Sequence, residues 1–245
     1  MTTLVETAAI IILPILLCVF AYRKNLMTQG GAVTAFVLAE VIGFSTGIWW
    51  EIPFFLFPII AFVATKWKIK EKVRLGLQEG RKGERSTLNI LGVGLIPTII
   101  ALVQFLTGSE GPYLAVAFLS ALAVSCSDTV ASETGMWAKK TYMITTLKQI
   151  EPGPNGGVSA YGFATSFLGA LAFALVSYLI VFHDDPLGLG TLRFLVIAVA
   201  GMVGNVMDSI LGALLENRGY ISKYTNNAST SLIGAIVGFI LFLAF

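Results

Sequence analysis

What constrains this chain most is a succession of apolar runs of spanning length, near Leu4–Tyr22, Gly31–Trp49, Ile52–Lys66, Leu88–Leu106, Tyr113–Glu133, Ser159–Phe182, Leu192–Leu215 and Ser229–Phe245. A spanning helix needs about twenty mostly apolar residues. In hydrocarbon every backbone polar group must find its partner within the protein, and the period-2 alternation of a barrel strand is absent. The sequence therefore predicts an all-α fold. It is a polytopic transmembrane helix bundle of about eight spans, one integral membrane domain over 1–245, with the third run the shortest. Composition agrees: 56% of residues are hydrophobic, 12% are charged, and the mean hydropathy is +0.83, outside the range of soluble domains. The leader MTTLVET has no basic residue, and Arg23 and Lys24 follow the first run. This is not the layout of a signal peptide, so the run is expected to stay in the mature protein.

The charges divide by connection. After the odd-numbered runs lie fifteen of the sixteen Lys and Arg: Arg23 and Lys24, the cluster from Lys66 to Arg85, then Lys139, Lys140 and Lys148, and finally Arg218 and Lys223. Only Arg193 falls on the other side, together with Glu6, Glu51, Glu110, Asp184 and Asp185. By the positive-inside rule the odd-numbered connections face the cytoplasm and both termini lie outside. The expected location is thus the cell membrane. The net charge of +2 is too small to indicate a nucleic-acid partner.

Against this background, acids inside apolar runs are expensive, at about 2.5 to 3.5 kcal/mol for an aspartate at a span centre, and they usually face a protein interior or a wet cavity. Asp128 and Glu133 stand in SDTVASETG at the inner end of the fifth run, and Asp208 stands in the seventh, roughly 10 Å below its inner end at 1.5 Å per residue. Gly204, Asp208 and Gly212 share one helix face, which clears room beside the carboxylate for a ligand or for a closely packed helix. EPGPNGG, residues 151–157, is a turn-rich loop whose glycines let backbone N–H groups approach an anion. D-[ST]-[VI] occurs at Asp128 and Asp208, and N-x-x-x-S-x-x-G at Asn155 and Asn227. Together these suggest a parallel repeat of spans 5–6 and 7–8.

Other polar features carry open readings. The basic connection, 67–87, either fixes topology against anionic lipid or folds its second half, Arg81, Lys82 and Arg85, over phosphates, with Asn89 beside it. Its first half, with Trp67, Ile69, Val73, Leu75 and Leu77 among lysines, has the pattern of an interfacial helix. Glu40, mid-way along the second run, either bonds a neighbour or belongs to a polar path. His183 is expected in solvent at the outer face, and Cys18 and Cys126 in the packing. GRKGER lacks the G-x-x-x-x-G-K-[ST] pattern, which excludes a P-loop fold. Carboxylates at the rim, glycine-rich backbone and several cations form a coherent set for polyphosphate. Acids hold Mg²⁺, the metal bridges phosphate oxygens, and cations offset the charge of transfer.

RKNLMTQGGAVTA, the basic loop through NILG, SDTVASETG, PGPNGGVSAYG and GNVMDSILGALLE resemble, in order, the membrane family of phytyl-phosphate kinase and transmembrane protein 19. Where that family commonly reads D-T-W-A-S-E, this chain has Val130. The resemblance implies phosphorylation of a prenyl monophosphate to the diphosphate by a nucleoside triphosphate. CTP is the donor suggested by related polyprenol kinases and by cytidylyltransferases that the family distantly resembles. On that reading Asp128 and Asp208 hold Mg²⁺, Glu133 and Glu216 support it, and Asn155, Gly156 and Gly157 cradle phosphates. Lys148, Arg85 and Lys82 neutralise charge, with Asn89, Asn205, Ser209 and Asn227 completing the nucleotide contacts. The prenyl tail would lie among membrane lipids and helices. Two alternatives remain: a cytidylyltransferase using the same residues, and an ion-coupled transporter using Glu40, Asp128 and Asp208.

Overall fold

A computed structural model of the protein describes residues 3–68, 71, 84–109, 111–183 and 190–244. Among the described residues eight long helices follow one another: α1 (Leu4–Arg23), α2 (Gln29–Thr46), α3 (Ile48–Lys66), α4 (Thr87–Thr107), α5 (Tyr113–Gly135), α6 (Ala160–Val181), α7 (Gly190–Leu211) and α8 (Lys223–Leu243). A π-helical turn, Gly212–Glu216, continues α7. The all-α membrane bundle expected from the apolar runs is the observed fold.

Side chains set the helix starts. Thr28, Ser86, Ser159 and Ser222 each accept a backbone N–H of the first turn of α2, α4, α6 and α8, replacing one intrahelical bond those donors lack. Between α2 and α3 a single residue, Gly47, turns the chain at φ +87°. This break corrects two expectations. The third run is a full helix, because Ile48 to Glu51 belong to it rather than to a connection. Seven of the eight helices are long and apolar enough to cross a membrane, and the exception is α2, with Gln29 at its start and Glu40 within. The last helix also begins earlier than expected, so Asn226 and Asn227 lie within its first turns.

At the centre is α5. From Ala115 to Ser127 every residue is buried, and α3, α4, α6, α7 and α8 all pack on it. Helix association in lipid gains nothing from hydrophobic transfer and depends on close van der Waals approach between small residues. Here Gly201 and Gly204 of α7 lie on Ala123 and Val124, while Gly234 and Gly238 of α8 lie on Val124 and Ser120, so close that a Cβ would overlap them. The Gly204–Gly212 face is therefore a packing seam, and Asp208 sits inside it. Between α5 and α6 a three-stranded antiparallel sheet orders the connection, as β2 (Gln149–Ile150), β1 (Thr141–Met143) and β3 (Gly157–Val158). The sequence reading contained no such sheet, since strands of two or three residues leave no periodicity to detect.

The odd-numbered connections gather at one end of the bundle: Met27 bridges to Arg85, and Asn155 bonds Glu216. At the other end Trp49 stacks on the exposed His183, with ring centroids 4.1 Å apart. The residue-level repeat does not hold, because Ser159 caps α6 whereas Ser231 lies two turns inside α8, bonding the Ala121 carbonyl. Only the helix-level likeness of Asp128 and Asp208 remains. Glu51 also departs from expectation, being fully buried against Gly43 rather than on a surface. Neither of its carboxyl oxygens, nor Oε1 of nearby Glu40, finds a hydrogen-bond partner among the described residues. A buried polar group without partners costs about 1–3 kcal/mol. Glu51→Leu is therefore expected to raise thermal stability in detergent, read as a higher unfolding midpoint; a lowered midpoint would show that the acid is held by a partner.

Candidate active site

Asp128 stands two turns from the end of α5, and Asp208 a similar distance from the end of the α7 helix and its π-turn. The glycine seam draws these segments together until the two carboxyl groups are close neighbours on one cavity. Ser132 and Thr230 line the cavity beside these two aspartates.

Asn226 ties the next acid in. Its buried amide donates to Oδ1 of Asp208 at 3.0 Å and to Oε2 of Glu216 at 3.3 Å. Its own Oδ1 is buried without a partner among the described residues. The π-turn displaces Glu216 from α-helical register, and Asn155 donates to its other oxygen at 2.8 Å. Wider helical turns of this kind are frequent at functional sites. The PGPNGG turn is thereby docked on α7. Gly156, at φ +82°, lies on Ala213 and on the Ser209 carbonyl, and Asn217 donates to the Asn155 carbonyl.

Arg85 lines the same cavity as the aspartates. Two backbone bonds clamp it, from Arg85 N–H to the Leu26 carbonyl at 2.8 Å and from Thr28 N–H to the Arg85 carbonyl at 3.0 Å. Gly31 leaves room for that carbonyl, which gives the QGG at the start of α2 a physical reason. Burial pulls the Arg85 guanidinium below its ordinary pKa, while the carboxylates of Glu133 and then Asp128 pull it back up. Glu133 is itself buried and accepts from Thr65 at 2.8 Å.

Asp128, Asp208, Arg85 and Glu133 border one cavity of about 320 Å³. Its polar end is lined by Asp128, Asp208, Glu133, Arg85, Lys66, Lys223, Asn89 and Asn227, and its body by apolar side chains of α1 and α3, among them Leu17, Phe20, Phe57 and Ile59. Among the described residues no group of three or more acids, histidines or cysteines is set to hold a metal. Two neighbouring aspartates fit a Mg²⁺ whose shell is completed by substrate phosphates and water, as is usual for that ion.

Several expected contacts fall elsewhere. Lys148 is exposed on the β1–β2 hairpin and does not line the cavity. Asn205 is buried and donates to Ser166 at 2.8 Å, within the α6–α7 packing. Ser209 presents its carbonyl to Gly156 rather than to the cavity, and the Gly157 N–H is already donated to the Pro154 carbonyl. Asn89 spends its carbonyl oxygen capping α4 with Ser86. Lys82 lies outside the described residues. Glu40 does not line the cavity; it sits near Glu51 and Cys18. Val130 packs on Gly169 of α6. Sequence reasoning missed Asn226, Lys66, Lys223 and Thr65. The adjacent asparagines of Y-T-N-N were the available signal for the first.

The chain matches the family described as integral membrane protein DUF92 over residues 12–240. It is similar to an uncharacterized membrane protein of Methanocaldococcus jannaschii, 24% identical over 99% of this chain and 97% of the relative. Another, from Synechocystis sp., is 28% identical over 87% and 82%. Protein VTE6, chloroplastic, of Arabidopsis thaliana is 26% identical over 91% of this chain and 67% of the relative. No solved structure matches the chain.

Gly156→Ala is expected to undock the PGPNGG turn, since a Cβ meets Ala213 and the backbone is left-handed there. The cost is about 1–3 kcal/mol. Faster proteolysis within 151–158 would report the undocking, and an unchanged cleavage pattern would rule it out.

Proposed function

The chain belongs to the integral membrane family DUF92, and on that premise we propose that it is a membrane kinase acting on a prenyl monophosphate. It transfers a phosphoryl group from a nucleoside triphosphate, CTP being the expected donor, and yields the prenyl diphosphate. The observation that carries this reading is a cavity that joins an apolar body to a polar end of paired aspartates and cations. A prenyl tail enters such a body from the bilayer without leaving apolar surroundings, and its phosphate then stops at the polar end.

In this reading Asp128 and Asp208 hold the Mg²⁺ that accompanies the triphosphate. When bound, that ion would supply positive charge to offset the charge of transfer. Arg85, Lys66 and Lys223 draw the phosphates in and stabilise the charge that develops. Glu133, held by Thr65, keeps Arg85 over the aspartates, so its role is positioning. Asn226 and Glu216 fix the Asp208 carboxyl, and the PGPNGG turn steadies Glu216 through Asn155. An oxygen of the acceptor phosphate attacks the γ-phosphorus, the bond to the β–γ bridging oxygen breaks, and the nucleoside diphosphate leaves. The acceptor is already an anion, so placement and charge neutralisation suffice without a general base. The basic bias of the odd-numbered connections puts this chemistry on the cytoplasmic side.

The test is purified protein with Mg²⁺, labelled CTP or ATP, and geranylgeranyl or phytyl phosphate. Lipid diphosphate and nucleoside diphosphate are the expected products, whereas pyrophosphate release would make the enzyme a cytidylyltransferase. Asp128→Asn and Asp208→Asn are each expected to lower turnover by about 10²–10³-fold, the scale of losing one transition-state electrostatic partner. Turnover that survives both substitutions would sink the metal assignment.

A further inference from the structure

The cavity has two kinds of mouth. At its polar end the exposed lining residues are Asn25, Lys66 and Ser132, which open towards the odd-numbered connections. Along its body the exposed lining residues are large and apolar: Phe20 is 54%, Ile59 52% and Phe62 37% accessible. A side chain lines a cavity and also faces outward only where the wall is open or thin. All three belong to α1 or α3, so the second mouth lies at the α1/α3 seam, at membrane depth.

That seam is also the least fastened in the bundle. Helix α1 is the least buried of the candidate spans, at 22% against 33% or more for the others, and it packs along α2 while touching α3 only lightly. Pro14 in α1 and Pro58 in α3 each remove one intrahelical hydrogen bond, and Pro58 lines the cavity. Where the two walls face the cavity each also presents a small buried residue, Ala21 at 8% and Ala61 at 7% accessibility.

We propose that the α1/α3 seam is the lateral entry through which a single-chain prenyl phosphate passes from the bilayer into the cavity, and that Ala21 and Ala61 determine which chains it admits. The identity of the headgroup rests on the phosphotransfer reading; the position of the entry rests on the cavity and its two mouths. The polar mouth serves the water-soluble triphosphate, so the two substrates meet without either crossing the other's solvent.

Two measurements on the full chain in lipid nanodiscs test this. In the first, Ala21→Trp and Ala61→Trp are compared with wild type on geranylgeranyl phosphate and on isopentenyl phosphate, which is short enough to arrive through water. The ratio of kcat/KM for the long over the short acceptor is expected to fall by roughly tenfold or more, the loss of about two buried methylenes. Ala21→Ser should restore the ratio. Equal losses on both acceptors would overturn the entry. In the second, geranylgeranyl phosphate with a diazirine at the tail end is photolysed on wild-type protein and the labelled residues are mapped. Labels on α1 and α3 support the seam; labels concentrated on α4, α6 or α8 overturn it. Should wild type phosphorylate no prenyl phosphate, the phosphotransfer reading falls, and the labelling still decides the entry by itself.

Discussion

The closeness with which α7 and α8 lie on α5 is the constraint from which the rest follows. In lipid, exclusion of water cannot press helices together, so they approach only as far as their side chains permit. Gly201, Gly204, Gly234 and Gly238 remove the side chains that would hold α5 away. The result is that Asp128 and Asp208, eighty residues apart in the chain, become close neighbours on one cavity. A seam that looks purely structural is what brings the acids together, so the two readings of the Gly204–Gly212 face are one.

The polar end is then assembled from backbone as much as from side chains. Arg85 is delivered by two main-chain bonds to the first connection, and Gly31 admits its carbonyl. Glu216 is delivered by a π-turn and by a docked loop that Gly156 alone can seat. Motifs that read as glycine-rich anion cradles turn out to be close-approach devices. Gly156 meets α7, and Gly157 has its N–H already in use, while the positive charge lining the cavity comes from Arg85, Lys66 and Lys223.

Membership of the DUF92 family and the resemblance read from SDTVASETG and PGPNGG agree, and the structure gives those motifs physical content. Asp128 and Glu133, five residues apart, have different partners. Asp128 neighbours Asp208, while Glu133 is bonded by Thr65 and its charge bears first on Arg85. Val130, the departure from the family pattern, occupies packing space on Gly169 and leaves the acids where they are. The far half of the bundle holds its own anomaly, Glu51 with Glu40, but these acids do not join the cavity.

Much was legible in the sequence alone. Apolar run lengths fixed an all-helical membrane bundle, because hydrocarbon leaves the backbone no other partner, and the cost of burying Asp128 and Asp208 marked them as special. Turn glycine at Gly47, read as part of a run, hid a helix boundary, and with it the burial of Glu51. The tertiary structure alone decided that the two aspartates are neighbours, that Asn226 links them to Glu216, that Asn205 serves packing, and that Lys148 points away. The reason is that residue type and spacing specify one helix face at a time. Which faces meet, and at what depth, depends on the small side chains of every neighbouring helix together.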